Sequence, residues 1–145
     1  MEYGIKGQFN GTIDDKGRLL LPGKIRASLL DETLIQTRGV DKCLWLFPQE
    51  PWSKLEALVK ENSSLFKSQS RLIQRRLIAP AQEVCIDKAG RIKLSPSIMK
   101  SVDVVRECII LGLDDHIEIW DVEAYEEYQR ETEEELNEAL EGLDF

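Results

Sequence analysis

A short motif that occurs twice in this chain constrains its fold more than any other feature. The first copy runs from Ile13 to Pro22 and reads IDDKGRLLLP, and the second runs from Ile86 to Pro96 and reads IDKAGRIKLSP. The motif aspartates are 87 − 14 = 73 residues apart. The same offset aligns further identical residues: Ile25 with Ile98, Ser28 with Ser101, Gly39 with Gly112, Asp41 with Asp114, and Glu50 with Glu123. A fixed repeat of this kind predicts two copies of one supersecondary unit.

The alignment of the two copies is ambiguous at one place between these matches. Leu34-Ile35 and Cys108-Ile109-Ile110 align better if one copy slips by one residue. The alignment of the strands in this region is therefore left undecided between the two offsets.

The motif has the chemistry of a tight turn between two strands. An aspartate can accept hydrogen bonds from the backbone two residues on, and a glycine can adopt a positive φ that other residues resist. The first copy therefore predicts a hairpin with strands Phe9 to Ile13 and Leu19 to Leu21. Arg18 and Arg91 either staple the turn by pairing with its aspartate or project to bind a ligand. The residues with a predicted turn-forming role are Asp14, Gly17, Asp87 and Gly90.

In these residues the chain resembles the MraZ family of bacterial transcriptional regulators, two-repeat proteins related to AbrB-like swapped-hairpin barrels. The family hallmark is an Asp-x-x-x-Arg within Asp-x-x-Gly-Arg in each repeat. Asp14 with Arg18 and Asp87 with Arg91 match it position by position. The resemblance covers nearly the whole chain, from the Gly-x-Phe-x-Gly lead-in at Gly7 to Gly11, through Pro22, Arg26 and an arginine-rich link, to Trp120.

The resemblance implies a fold that is mainly β with short helices, an AbrB-like barrel of swapped hairpins made from two tandem repeats. It further implies a cytoplasmic, nucleoid-associated repressor of the division and cell-wall gene cluster that includes its own gene. Its partners would be double-stranded DNA and further copies of itself in a ring, with no cofactor, metal, membrane or small-molecule substrate. The residues expected to contact DNA are Lys16, Arg18, Lys24, Arg26 and Arg91.

One such basic turn neutralises only a few phosphates, which leaves DNA binding weak at physiological salt. A ring that repeats the turn adds avidity, so we expect several similarly oriented DNA boxes spaced at about one helical turn. Arg suits either a guanine edge or a phosphate. The second copy has Ser95 in place of the first proline and Met99 in place of Arg26. We therefore expect repeat one to face the DNA and repeat two mainly to complete the barrel and ring.

Domain boundaries follow from the repeat. We predict a first AbrB-like repeat over 7–59, a basic helical connector over 60–82, a second repeat over 83–129 and an acidic C-terminal helix extension over 130–145. Each repeat is small enough to be marginal alone, so the two are expected to interleave. In the connector, Arg71, Arg75 and Arg76 are candidates for phosphate or subunit contacts, or for a solvated linker helix, because no acid lies between Ser63 and Ala79.

The net charge of −8 argues against DNA binding until its location is considered. Residues 121–145 contain eleven acids and one base, Arg130, so this segment carries −10. The other 120 residues carry −8 − (−10) = +2. Because phosphate contact depends on the local field, a nearly neutral body can still present a basic face.

Hydrophobic spacing predicts the remaining elements. Glu2 to Gly7 is expected to be a loose lead-in, and Val122 to begin one long last helix. A helix starting at Pro51 is predicted to turn one stripe to the core, and Leu65 to Ala79 is predicted to be helical until Pro80. The predicted core stripe consists of Trp52, Leu55, Leu58 and Val59.

The sequence gives little support to catalysis, metal binding or membrane insertion. It has no nucleophile elbow, no Gly-rich phosphate loop and a single histidine, His116, which we expect to be structural or exposed. Cys43, Cys85 and Cys108 show no Cys-x-x-Cys spacing and are predicted to be buried, reduced thiols. No signal peptide or bilayer-length apolar run is expected. Two alternatives stay open: an oligomeric adaptor without specific DNA binding, and an antitoxin-type AbrB relative.

Overall fold

The computed structural model describes residues 4–144. The first half of the chain forms β1 (Ile5–Thr12), β2 (Arg18–Leu20), α1 (Gly23–Arg26), β3 (Thr33–Arg38), β4 (Leu44–Pro48) and α2 (Gln49–Glu61). A connector helix α3 (Ser68–Ile73) continues directly into a π-helical turn, Gln74–Ile78. The second half forms β5 (Gln82–Cys85), β6 (Arg91–Lys93), α4 (Pro96–Ser101), β7 (Glu107–Asp114), β8 (Ile117–Asp121), α5 (Val122–Glu131) and α6 (Glu133–Gly142).

The two repeats exchange strands. An antiparallel six-stranded sheet has the order β1-β7-β8-β4-β3-β5, and β2 pairs with β6 in a separate two-stranded ribbon. The first strand of each repeat thus pairs with a strand of the other repeat, β1 with β7 and β5 with β3. The predicted fold class, mainly β with short helices and built from two AbrB-like tandem repeats, is confirmed.

The barrel is not closed, and the predicted hairpin is much smaller than expected. Strands β1 and β2 share only the bridge between Ile13 and Leu19 and a hydrogen bond from the Asp14 amide to the Arg18 carbonyl. The predicted turn and the two strands beside it are present, but Phe9 to Ile13 and Leu19 to Leu21 pair with each other only at this bridge. Strand β2 is short, and its backbone groups are satisfied by β6 instead, so β1 stays at the edge of the large sheet.

An approximate twofold axis relates the repeats. It passes through the pair Leu19 and Ile92 in the ribbon and the pair Trp45 and Glu118 between β4 and β8, and the members of each pair are 73 residues apart. The one-residue slip considered from the sequence is present in β3 and β7. Leu34 of β3 lies opposite Pro48, whereas Cys108 of β7, 74 residues after Leu34, lies opposite Asp121.

The main core lies between the large sheet and the ribbon, covered at its ends by α1 and α4. Its members include pairs related by the twofold, Leu19 with Ile92 and Ile25 with Ile98, all almost fully buried. Burial of these side chains fixes the inner face of the ribbon. A smaller cluster packs Trp52 of α2 against Ile35 and Phe47, with Leu55 alongside. Leu58 is 57% exposed, so its assignment to that core stripe is wrong.

Three other segments differ from the sequence-based expectation. The lead-in is ordered as strand from Ile5 onward, because β7 offers it a long antiparallel partner, while Glu2 and Tyr3 lie outside the described residues. The connector is helical only from Ser68. The last helix is two helices. Helix α5 ends at Glu131, and Thr132, whose hydroxyl donates to the Tyr128 carbonyl at 2.6 Å, separates it from α6.

The cysteines also differ in their burial. Cys43 and Cys108 are fully buried, and burial raises the pKa of both thiols, that of Cys108 to about 12. Cys85 is exposed on the edge strand β5, so the prediction that it is buried is wrong. Between Gly4 and Asp144 no helix has the length and apolar character needed to cross a membrane.

Candidate nucleic-acid interface

The two motif turns have the same construction. In the first, Asp14 Oδ1 accepts hydrogen bonds from the amides of Lys16 and Arg18, both at 2.9 Å, and Gly17 has a φ of +76°. The backbone hydrogen bond from Arg18 is the main cause of a lowered pKa at Asp14. These bonds to a charged acceptor hold the turn in one conformation.

The second turn repeats these contacts. Asp87 Oδ1 accepts from the amides of Ala89 and Arg91 at 2.9 Å, and Gly90 has a φ of +84°. The amide of Arg91 is likewise the main cause of a lowered pKa at Asp87. Both motif aspartates and both glycines are thus occupied in forming the turns.

Cross-connections place the two turns at opposite ends of one ribbon. The Leu21 amide donates to the Gly90 carbonyl at 3.0 Å, and the Leu94 amide donates to the Gly17 carbonyl at 2.9 Å. Each turn is therefore tied to the strand end of the other repeat. Because β2 and β6 are antiparallel, the first turn leads into the ribbon at Arg18 and the second enters at the far end.

The outer face of the ribbon is basic. Leu19 and Ile92 point into the core, so alternation along the two strands turns four side chains outward. Arg18 lies opposite Lys93, and Leu20 lies opposite Arg91. Leu20 is 52% exposed, and the side chains of Arg18 and Arg91 are 36% and 45% exposed. The ribbon thus presents three cations and one leucine to solvent.

Asp14 lies between the two motif arginines. Its Oδ2 is 3.4 Å from Arg18 Nε and 3.9 Å from Arg91 Nη1. The Arg18 Nε is buried and makes no aligned hydrogen bond. The sequence left open whether Arg18 pairs with Asp14 or projects to bind a ligand. Both descriptions apply, because Arg18 pairs with Asp14 while more than a third of its side chain remains exposed.

Arg26 adds charge to the turn of the other repeat. Its Nε donates to the Leu21 carbonyl at 3.0 Å, and its guanidinium lies 2.6 Å from the position that a Cβ on Gly90 would occupy. Met99, the counterpart of Arg26, packs against the main core instead. Lys24 is exposed on α1.

Around the ribbon and its turns the local charge is positive. The bases number seven and the acids three, so the local balance is 7 − 3 = +4 in a chain of net charge −8. One of these acids, Asp15, pairs with Arg106 at 3.5 Å. The bases are Lys16, Arg18, Lys24, Arg26, Lys88, Arg91 and Lys93, and the acids are Asp14, Asp15 and Asp87.

Sequence reasoning had not included Lys88, Lys93 or Leu20 among the site residues. The alternation of Leu19 and Ile92 with charged neighbours is visible in the sequence, but the pairing of β2 with β6 is what combines both strands into one face. The connector arginines lie elsewhere. Arg71 Nη1 donates to the Leu65 carbonyl at 3.0 Å, and Arg75 and Arg76 lie beside α4 and the end of β3.

A two-stranded antiparallel ribbon has dimensions that the major groove of B-DNA accepts. Arginines on its outer face can bond guanine edges bidentately, while lysines at its turns neutralise phosphates. The arrangement can therefore bind a polyanion.

Two tandem repeats that exchange strands and share one basic ribbon define a two-repeat protein of the AbrB-like class. Sequence comparison identifies the family. The family model described as "MraZ protein, putative antitoxin-like" matches residues 5–76 and again residues 77–143. The chain belongs to the MraZ family.

Curated relatives agree over nearly their full length. A protein of Treponema denticola named transcriptional regulator MraZ is 47% identical over 139 residues, which cover 96% of each chain. Proteins of the same name are 39% identical in Treponema pallidum, over 94% of this chain and 92% of the relative, and 38% identical in Lactobacillus delbrueckii subsp. bulgaricus, over 95% of each. The relatives thus carry the name of a regulator and not of an enzyme.

Proposed function

We propose that this protein is a sequence-specific DNA-binding transcriptional regulator whose β2–β6 ribbon contacts the DNA. The observation that carries the proposal is the outer face of the ribbon, where Arg18, Arg91 and Lys93 are exposed between two turns of fixed conformation. The name shared by the curated relatives supports it.

Both repeats contribute to the DNA-contacting face in this proposal. The turns lie at the two ends of one short ribbon and are joined to it by backbone hydrogen bonds, so the fold holds both beside the same outer face. This proposal gives repeat two a larger part than the expectation that repeat one faces the DNA and repeat two mainly completes the barrel and ring. Arg18 and Arg91 occupy equivalent positions about the twofold axis, and Arg26 strengthens the field at the second turn.

The target genes, the location in the cell and the mode of DNA binding are proposed from the family resemblance. The protein represses the division and cell-wall gene cluster that includes its own gene, and it works at the nucleoid. A local charge of about +4 releases few counterions, so one copy binds DNA weakly at physiological salt. A ring of copies supplies avidity across several direct-repeat boxes. Phosphate contacts set the register of each copy, and arginine contacts to bases select the boxes.

The test is DNA binding to the region upstream of the protein's own gene, measured by fluorescence anisotropy at several salt concentrations. Arg18→Ala and Arg91→Ala are each expected to weaken specific binding by roughly 10-fold to 100-fold, the range of one arginine contact. Arg130→Ala removes one positive charge from α5, away from the ribbon, and is the matched control. It should bind nearly as the wild type does.

The slope of log affinity against log salt separates the two arginine roles. A variant that has lost a phosphate contact shows a slope smaller by about 0.9, whereas a variant that has lost a base contact shows lower preference for the box sequence. If all three variants bind alike, the ribbon is not the DNA site. If the wild type shows no salt-dependent binding, an oligomeric adaptor becomes the better description.

A further inference from the structure

A second group of arginines lies away from the ribbon. Arg38, at the end of β3, and Arg75 and Arg76, on the π-helical turn, line a cavity of about 300 Å³. The remaining walls come from Pro80 and from α4: Ser97, Ile98 and Ser101. No carboxylate is among these residues, and within residues 4–144 none of the three arginines forms an ion pair. Three arginines, of which Arg75 and Arg76 are exposed, therefore line one cavity without a counter-charge.

Among the described residues, the surroundings of Arg38 lack a negative charge. The side chain is half-buried, and its Nε is buried with no hydrogen-bond partner in the described chain. Burial and the nearby charge of Arg76 both lower the pKa of Arg38. Several positive charges close together without a counter-charge are unfavourable, and an anion in the cavity would supply the missing negative charge.

The backbone holds the arginines in place. The Ala79 amide bonds to the Gln74 carbonyl at 2.8 Å, which closes the π-helical turn, and the hydroxyl of Thr37 donates to the Leu77 carbonyl. Thr37 precedes Arg38, so this bond ties the strand end that carries one arginine to the turn that carries the other two. Single π-helical turns of this kind are frequent at functional sites.

We propose that the cavity formed by Arg38, Arg75 and Arg76 is a binding site for a phosphate group. Arginine forks match the oxygens of a phosphate, and all three cations here are arginines. The guanidinium N–H groups are the main donors. Of the two hydroxyls in the lining, that of Ser101 already donates to the Ile98 carbonyl at 2.7 Å, and that of Ser97 lies 3.0 Å from Ser95 Oγ. The cavity has room for a phosphate and a small attached group. The phosphate belongs either to a free small molecule or to the DNA backbone.

The first arm of the test uses the full chain without DNA. Inorganic phosphate and pyrophosphate are titrated at constant ionic strength by calorimetry and by thermal unfolding. Wild type should bind and unfold at a higher temperature as the anion is added.

Arg76→Ala should weaken binding at least tenfold, the range expected for one charged hydrogen bond. Without the anion it should be at least as stable as wild type, since a repulsion has been removed. Arg71→Ala is the matched control, because Arg71 lies outside the cavity on the same connector.

The second arm identifies a phosphate that comes from DNA. If free phosphate does not bind, but Arg76→Ala reduces the salt slope of DNA binding by about 0.9 and Arg71→Ala does not, the cavity holds a backbone phosphate. The proposal is overturned if Arg76→Ala changes neither measurement. It is also overturned if Arg76→Ala dissociates an oligomer, since the cavity then holds carboxylates of another copy. The phosphate arm contains no DNA, so its outcome is independent of the ribbon, which Arg18→Ala tests in parallel.

Discussion

Gly17 and Gly90 are equivalent in backbone conformation but not in surroundings. A Cβ on Gly17 would meet only the Leu94 carbonyl at 3.6 Å, whereas a Cβ on Gly90 would lie 2.6 Å from the Arg26 guanidinium. Both glycines have a positive φ, so each Ala variant should lose about 1–2 kcal/mol of stability from backbone strain. Gly90→Ala should in addition displace Arg26 and weaken DNA binding.

Chemical denaturation measures the first effect and fluorescence anisotropy the second. In an Arg26→Ala background, the extra loss of DNA affinity caused by Gly90→Ala should disappear, because the guanidinium that it displaces is already absent. Equal losses of affinity for Gly17→Ala and Gly90→Ala would contradict the placement of Arg26 over the second turn.

The motif aspartates give the turns a dependence on pH. Asp14 and Asp87 have a lowered pKa in the folded protein, mainly because backbone amides donate to their carboxylates. Their contribution to stability is therefore complete above the unfolded-state pKa of about 3.9 and is lost as pH falls through the lower folded-state value. Asp87→Asn keeps an acceptor but loses the charge, so its deficit in unfolding free energy should be largest near neutral pH and shrink below about pH 4. A deficit independent of pH would show that the charge has no part in the turn.

The turns were predictable from sequence because their chemistry is local. Asp14 and Gly17 act on residues within the same motif, and residue type alone indicates such a turn. The contact between Arg26 and Gly90 was not predictable, because it depends on which strands of the two repeats pair. The proximity of Arg38 to Arg75 and Arg76 was not predictable for a similar reason, since these residues are distant in sequence.

At the scale of elements, the pairing of β4 with β8 joins the two halves of the large sheet. At its centre, Glu118 accepts from Trp45 Nε1 and from Trp120 Nε1, each at 2.9 Å. Trp120 is almost fully buried. Glu118→Ala leaves both indole N–H groups without this acceptor, and the expected loss is about 1–3 kcal/mol of unfolding free energy.

Glu118→Gln is the control, because its amide oxygen can accept one of the two hydrogen bonds, and it should be intermediate in stability. Urea denaturation followed by tryptophan fluorescence measures the unfolding free energy, and these two indoles are two of the three in the chain. If the Ala variant is as stable as wild type, the indole groups reach water and the carboxylate does not hold the two halves together.

Most elements were predictable from hydrophobic spacing, but their partners were not. Strands β7 and β8 and the helix after Pro96 follow from the apolar pattern and from proline at a helix start. Whether β2 pairs with β1 or with β6 depends on long-range packing, which local propensity does not encode. The break at Thr132, where the hydroxyl bonds back to the Tyr128 carbonyl, lies within a continuous helical pattern that does not reveal it.

At the scale of the whole molecule, charge is divided between a basic ribbon and an acidic end. Helix α6 buries no residue, and residues 133–145 contain six acids and no base. A chain that ends at Thr132 therefore has a net charge of −8 − (−6) = −2. Because the deleted helix adds little to the core, the change in stability should stay within about 0.5 kcal/mol.

Deletion of residues 133–145 should raise DNA affinity severalfold at low salt, since it removes a negative field that repels phosphates. The gain should shrink as salt rises, because exposed charges farther apart than about 10 Å are largely screened at 0.1 M. Replacing Glu133, Glu134 and Glu135 by Gln in the full chain keeps α6 and should reproduce part of the gain. If the deletion instead lowers both DNA affinity and oligomer size, α6 joins neighbouring copies, and the acidic end contributes to binding through avidity and not through repulsion.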